Sequence, residues 1–279
     1  MIKVASVQTN PVMNAVEDNV TDMVRAIENL ARAGVQLAVF PELATTGYMF
    51  DSATEARAVA EDVPNGPTVQ RLLRACADND MYIVFGIAEK AGETLYNSSA
   101  ILGPQGYIGT YRKLHLWDNE NTMFTPGDLG LPVFATPLGN IGILICYDIW
   151  FPEAVRTLTL SGADLLCVPT NWVPLVAGNG ENDTAMANIL CMASSHCNGL
   201  PIVAADRCGQ ERGQLFLGRS LITNATGWPA AGPGHADRQD ILIADIDVEN
   251  SASARQWSEF NNPLTNRRAD AYRLTGPND

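Results

Sequence analysis

Short apolar runs of strand length alternate with amphipathic stretches of helical spacing, and this alternation constrains the fold more than any other feature. KVASVQ (3–8) reads as a strand. The next stretch, 18–33, carries Val20, Met23, Val24, Ile27 and Leu30 on one helical face, and Gly34 stops it. In QLAVF (36–40), ended by Pro41, the residues after Gln36 are all apolar, as a strand buried on both faces must be. A second helix over 67–79 aligns Val69, Leu72, Leu73 and Cys76, and MYIVFGIAE (81–89) is again a strand. Strands alternating with one-faced helices predict an α/β fold.

The style then changes. NSSAILG (97–103) and GYIGTYRK (106–113) flank the turn Gly103-Pro104-Gln105-Gly106, and PVFATP (132–137) and NIGILIC (140–146) flank Pro137-Leu138-Gly139-Asn140, so both pairs read as hairpins. A helix begins at Pro152. Strands follow at 164–169 and 201–206 on either side of a helix over 183–197, with later strands at 220–224 and 241–247. No stretch has linker composition and no repeat of 20–50 residues is visible, which predicts one domain over 1–279. The polar tail 250–279 carries Trp257, Phe260 and Tyr272. Large aromatics on a chain end are expected to be docked, here at a subunit interface.

Charge and composition exclude several classes of function. A hydrophobic fraction of 46% is too high for a disordered chain, and a net charge of −13 argues against binding nucleic acid or an anionic membrane by general attraction. No apolar run has the length of a membrane span, and the start MIKVASVQTN lacks a signal-peptide pattern. The six cysteines form no C-x-x-C pair, as expected of a protein kept in the reducing cytoplasm. On the same ground the sequons at Asn97 and Asn224 carry no meaning.

Three residues stand where strands end. Cys146 closes IGILI and precedes Pro152-Glu153, a helix start, so it lies on a sharp strand-to-helix connection. There its sulfur is expected to be exposed near backbone N–H groups, which favours thiolate. Taken alone, a buried structural cysteine fits as well. Glu42 follows Pro41 at the end of QLAVF, where carboxylates of α/β folds face pockets. Lys113 closes YIGTYR beside Leu114. Nucleophile, base and cation together describe a hydrolase that forms a covalent intermediate and stabilises an oxyanion.

These segments resemble the nitrilase superfamily of carbon–nitrogen hydrolases. Members carry Glu, Lys and Cys in separate motifs, matched here by Phe40-Pro41-Glu42-Leu43 with Thr46-Gly47-Tyr48, by Tyr111-Arg112-Lys113-Leu114-His115, and by Cys146-Tyr147-Asp148-Ile149-Trp150-Phe151-Pro152-Glu153. A second glutamate of the family corresponds to Glu120, four residues before Phe124 in Phe124-Thr125-Pro126-Gly127. The resemblance implies a four-layer αββα sandwich of two mixed sheets, assembled as a homodimer or larger homo-oligomer, without metal or organic cofactor. It implies Glu42 as base and acid, Cys146 as nucleophile, Lys113 and the Tyr147 backbone N–H as oxyanion donors, and Glu120 as the support of Lys113. Tyr48, Trp150, Asn171 and Trp172 are expected to line the substrate pocket.

The implied reaction is hydrolysis of a small carboxamide to carboxylate and ammonia through a thioester. An N-carbamoyl amine amidohydrolase, a nitrilase and a non-catalytic binding member of the family are the rivals. The motif Cys146-Tyr147-Asp148 is that of amidase-like branches, whereas nitrilases usually follow the cysteine with Trp-Glu. Departures from the family pattern at His196-Cys197-Asn198 and Asp206-Arg207-Cys208-Gly209 bear on the substrate. His115 is a weaker base candidate. Cys191, His196, Cys197 and Cys208 match no zinc-finger spacing, and Gly178-Asn179-Gly180 lacks the context of a phosphate loop.

Overall fold

The computed structural model describes residues 1–174, 185–273 and 275. In chain order the strands are β1 (Ile2–Gln8), β2 (Leu37–Val39), β3 (Tyr82–Ala91), β4 (Thr94–Gly103), β5 (Gly106–Arg112), β6 (Val133–Thr136), β7 (Gly139–Ile143), β8 (Leu165–Pro169), β9 (Ile202–Ala205), β10 (Gln210–Glu211), β11 (Gln214–Leu215), β12 (Leu221–Thr223), β13 (Pro229–Ala231) and β14 (Asp240–Ile246). The helices are α1 (Val16–Arg32), α2 (Ala53–Val59), α3 (Pro67–Asn79), α4 (Pro152–Leu160) and α5 (Met186–Asn198).

Two six-stranded sheets form the inner layers. The first runs β14-β1-β2-β3-β4-β5 and the second β13-β12-β9-β8-β7-β6. Each is parallel at its centre, β1-β2-β3 in one and β7-β8-β9 in the other, and antiparallel toward its edges. Val4, Leu37, Val39 and Val84 of the first sheet meet Ile141, Ile143, Leu166 and Val203 of the second in one shared core. The Ser6 hydroxyl crosses between the sheets to the Ala204 carbonyl at 2.7 Å.

Helices cover the outer faces. The buried stripe of α1, Val20, Met23, Ile27 and Leu30, joins Val69, Leu72 and Cys76 of α3 over the first sheet. α4 and α5 contribute Val155, Leu158 and Cys191 to the core of the second. The arrangement is the αββα sandwich expected. The short α2 has no long apolar stripe and was not foreseen; the Ser52 side chain caps it by accepting from the Glu55 N–H. The strand β13 and the two-residue β10 and β11 are likewise too brief to leave a periodic signal. Residues 183 and 184 of the expected helix 183–197, and Gly178-Asn179-Gly180, lie outside the described residues.

The start of the tail packs on its own chain. Arg255 Nε donates to the Asn198 carbonyl at 2.9 Å, and the Trp257 ring stacks on His196 of α5 at 5.2 Å. Trp257, Phe260 and Tyr272 still remain at least half exposed.

Candidate active site

The ends of β2, β5, β7 and β8 open on one region, as the ends of parallel strands do in α/β sheets. From β2, Phe40 donates to Val84 O and the chain turns through Pro41 into Glu42. Gly86 of β3 permits this turn: a Cβ there would lie 2.2 Å from the Leu43 nitrogen and 2.5 Å from the Glu42 Cα. Glu42 is fully buried, and its Oε1 accepts from Asn97 Nδ2 and from Lys113 Nζ, each at 2.7 Å.

Lys113 follows β5. Its backbone is pinned on both sides, donating to Asn97 O at 2.9 Å and accepting from the Gly127 N–H at 2.8 Å. A Cβ on Gly127 would sit 2.1 Å from Arg112 O, so the close approach requires glycine. The Lys113 Nζ also reaches Glu120 Oε1 and Oε2 at 2.7 and 2.8 Å. Glu120 in turn accepts from the Tyr48 hydroxyl at 2.5 Å. The Tyr48 and Met49 N–H groups bind Glu211 Oε2 at 2.8 and 2.7 Å, and Glu211 Oε1 pairs with Arg207 at 2.9 Å. Tyr48 therefore joins two charged clusters, Arg207–Glu211 through its backbone N–H and Glu120–Lys113 through its hydroxyl.

Cys146 begins a 3₁₀ turn, Cys146–Trp150, between β7 and α4, with φ of +49°. That left-handed conformation is costly for a residue with a Cβ and persists where its surroundings hold it. Asp148 does the holding. Its Oδ2 accepts from the Ile145 N–H at 2.9 Å and the Tyr111 hydroxyl at 2.7 Å; its Oδ1 accepts from the His115 N–H at 3.0 Å and lies 2.8 Å from His115 Nδ1. One carboxylate thus ties the cysteine turn to the segment bearing Lys113.

The electrostatics follow from burial. Removal from water, opposed by the Lys113 charge, raises Glu42 from 4.5 to about 7. Burial works against the Lys113 ammonium, but Glu120 and Glu42 outweigh it and hold its pKa above the ordinary lysine value. Burial and the Glu42 carboxylate push the Cys146 thiol well up, while Lys113, the Thr170 hydroxyl and the Asn171 backbone N–H pull it back. The expectation of an exposed, thiolate-prone sulfur is therefore corrected. Cys146 is 7% exposed, because the end of β7 is closed over by the core between the sheets, and that burial favours the thiol.

Residues 3–256 match the family model described as carbon–nitrogen hydrolase. The chain belongs to the carbon–nitrogen hydrolase family. It is 37% identical to a nitrilase from Pyrococcus abyssi, with 98% of this chain and 99% of the relative aligned. It is 32% identical to an N-carbamoylputrescine amidase from Arabidopsis thaliana, over 93% and 92% of the two chains. An amidase from Nesterenkonia sp. superposes with a TM-score of 0.78 at 24% identity, covering 96% of this chain and 94% of that one.

In this carbon–nitrogen hydrolase the residues expected at the site fall into three groups. Glu42, Lys113 and Glu120 are in direct contact. Cys146, Tyr147, Trp150, Asn171 and Trp172 line one pocket, with Trp117 and Val173 completing its wall. Tyr48 lines the adjoining recess instead, which shares Trp117 and Val173 with the first. His115 is held by Asp148 and stacks on Phe151 at 3.6 Å. Among the described residues no three His, Cys, Asp or Glu side chains are grouped to hold a metal ion.

Sequence reasoning missed Asn97, Asp148, Thr170 and the Arg207–Glu211 pair. Asn97-Ser98-Ser99, set aside as a sequon, is a buried polar run within a strand. Polar residues on both faces of an otherwise apolar strand were the available signal.

Proposed function

We propose that this enzyme hydrolyses a small carboxamide through a thioester on Cys146. The observation that carries the reading is the buried Lys113 ammonium, held between Glu42 and Glu120. Glu42, poised at about 7, takes the thiol proton as sulfur attacks the carbonyl carbon. The developing oxyanion is stabilised by Lys113 and the Tyr147 N–H. An ammonium has three N–H groups, and sharing one between the two Glu120 oxygens frees another for the oxyanion. Glu42 then protonates the leaving nitrogen, ammonia departs, and a water deprotonated by Glu42 cleaves the thioester. One carboxyl group serves throughout because each half-reaction moves a proton in and out of the same place. In a glutamate variant of the Nesterenkonia amidase, acrylamide has added to the active-site cysteine, which supports a reactive cysteine here.

Two rival substrates rest on particular relatives. The N-carbamoylputrescine amidases favour an N-carbamoyl amine, and the Pyrococcus relative favours a nitrile. One acyl chain offered as its amide, nitrile and N-carbamoyl amine decides among them by kcat/KM for ammonia release. We expect the amide to lead, and a nitrile preferred by about tenfold or more would overturn the reading. A non-catalytic role is excluded by any Cys146-dependent turnover.

Residues 1–279 are read as one catalytic domain, on the strength of the core shared by the two sheets. A homo-oligomer is proposed from Trp257, Phe260 and Tyr272, which stay exposed on a docked tail. Light scattering should give at least twice 30.0 kDa, and a persistent monomer would contradict it. All six cysteines are free, which fits a reducing cytoplasm. No described helix is long and apolar enough to cross a membrane.

A further inference from the structure

Two buried acceptors near the sulfur lack a donor. Glu42 Oε2 and Asn171 Oδ1 have no hydrogen-bond partner among the described residues. The Asn171 amide is oriented unambiguously: its Nδ2 donates to the Glu42 backbone carbonyl at 2.9 Å, and the flipped amide would set oxygen against oxygen. Asn171 is 2% exposed, lines the pocket that contains Cys146, and turns its backbone N–H toward the sulfur. The bond from Nδ2 also ties it to the residue that carries the other free acceptor.

Buried acceptors are costly unless something donates to them. Other unpartnered polar atoms nearby do not meet the need. Trp172 Nε1 is a donor, the Thr170 hydroxyl faces the sulfur, and Asn97, unlike Glu42, is not among the groups that act on the Cys146 sulfur.

We infer that Asn171 is a specificity-determining residue whose Oδ1, together with Glu42 Oε2, accepts the two N–H groups of a substrate NH₂. The inference rests on the amidase reading and deepens it. A primary carboxamide or carbamoyl group carries two diverging N–H donors on one nitrogen, one trans and one cis to the carbonyl oxygen. With that oxygen on Lys113, the trans N–H points away from the lysine and the cis N–H points to the side, so that the two diverge toward the two acceptors. A nitrile or an ester brings no N–H and leaves both acceptors unpaired. A site built to bind a donor rejects the analogue that lacks it far more strongly than an apolar wall would. The same contact orients the nitrogen before Glu42 protonates it, and Asn171 then continues to accept from the departing ammonia.

The test offers one acyl chain as its primary amide and as its methyl ester, to the unaltered enzyme and to Asn171→Ala. Both substrates pass through the same thioester and the same oxyanion. The loss in kcat/KM should be larger for the amide by about tenfold or more. Equal losses would mean that Asn171 only supports the fold or Glu42, and would overturn the inference. A second measurement needs no change at Asn171. Calorimetric titration of the Cys146→Ala protein with the amide, and with the methyl ketone of the same shape, should show the amide binding about tenfold tighter. Equal affinity overturns the inference. Failure of the amidase reading is seen separately, as absence of ammonia release by the unaltered enzyme before any variant is compared.

Discussion

Lys113 Nζ lies 2.7 Å from Glu42 Oε1, and neither side chain is exposed at all. Glu120 shares the same ammonium. Two carboxylates around one cation leave the site short of positive charge. The carboxyl that also faces the cysteine, Glu42, is the one whose ionisation is held back to about 7. A base of that strength is half ready at neutral pH, strong enough to take a thiol proton and weak enough to give it to a leaving amine.

The pH dependence follows. Glu42 protonated below about 7 cannot accept the thiol proton. The kcat/KM for amide hydrolysis should therefore fall by about tenfold per pH unit below that point and level off above it. A profile flat from pH 5 to 8 would remove Glu42 from the role of base.

Lys113→Met takes the cation from between two buried carboxylates. The loss of an oxyanion donor should lower kcat by about 100- to 1000-fold. Stability should drop by about 3–5 kcal/mol, since uncompensated charge remains buried. Adding Glu120→Gln should restore part of the stability, read by urea unfolding, and none of the activity.

Tyr48→Phe deletes the hydroxyl that donates to Glu120 at 2.5 Å while keeping the ring against Phe216. A hydrogen bond to a charged group contributes about 1.5–3 kcal/mol. The expected result is a fall in kcat/KM of about tenfold or more, with the far-ultraviolet circular dichroism unchanged. Full activity would show that Glu120 holds Lys113 without help.

Asp148→Asn leaves one acceptor oxygen for the backbone N–H of Ile145, the backbone N–H of His115 and the Tyr111 hydroxyl. The protein should lose about 2–3 kcal/mol of stability, and reactivity of Cys146 toward iodoacetamide should change as its turn relaxes. Unaltered melting and alkylation would contradict the organising role given to this carboxylate.

The strands were legible wherever apolar runs were bounded by Pro or Gly, as QLAVF by Pro41 and NSSAILG by Gly103 were. Glu42, Lys113 and Cys146 each end a strand-like run, and the match of all three to the family motifs singled them out. Sheet order was not, since which strands adjoin depends on packing between distant segments such as β14 on β1. The exposure expected for the cysteine at its turn was not found. A strand-to-helix turn suggests exposure, but the opposing sheet and the segment after β8 close over it, and no local pattern reports that. Asn97 and Asp148 act through contacts spanning 55 and 37 positions, to Glu42 and Tyr111, and such partners leave no spacing to read. Arg207 and Glu211 stand four apart outside any helix, where a charge pair carries no periodic meaning.

Ammonia release from a primary amide by the unaltered enzyme and by Cys146→Ala, both verified as folded by thermal melting, tests the central claim most directly. A thioester on Cys146 requires steady ammonia production by the first protein and none above the uncatalysed rate by the second. Turnover by a well-folded Cys146→Ala protein within about a hundredfold of the unaltered rate would contradict covalent catalysis at this residue.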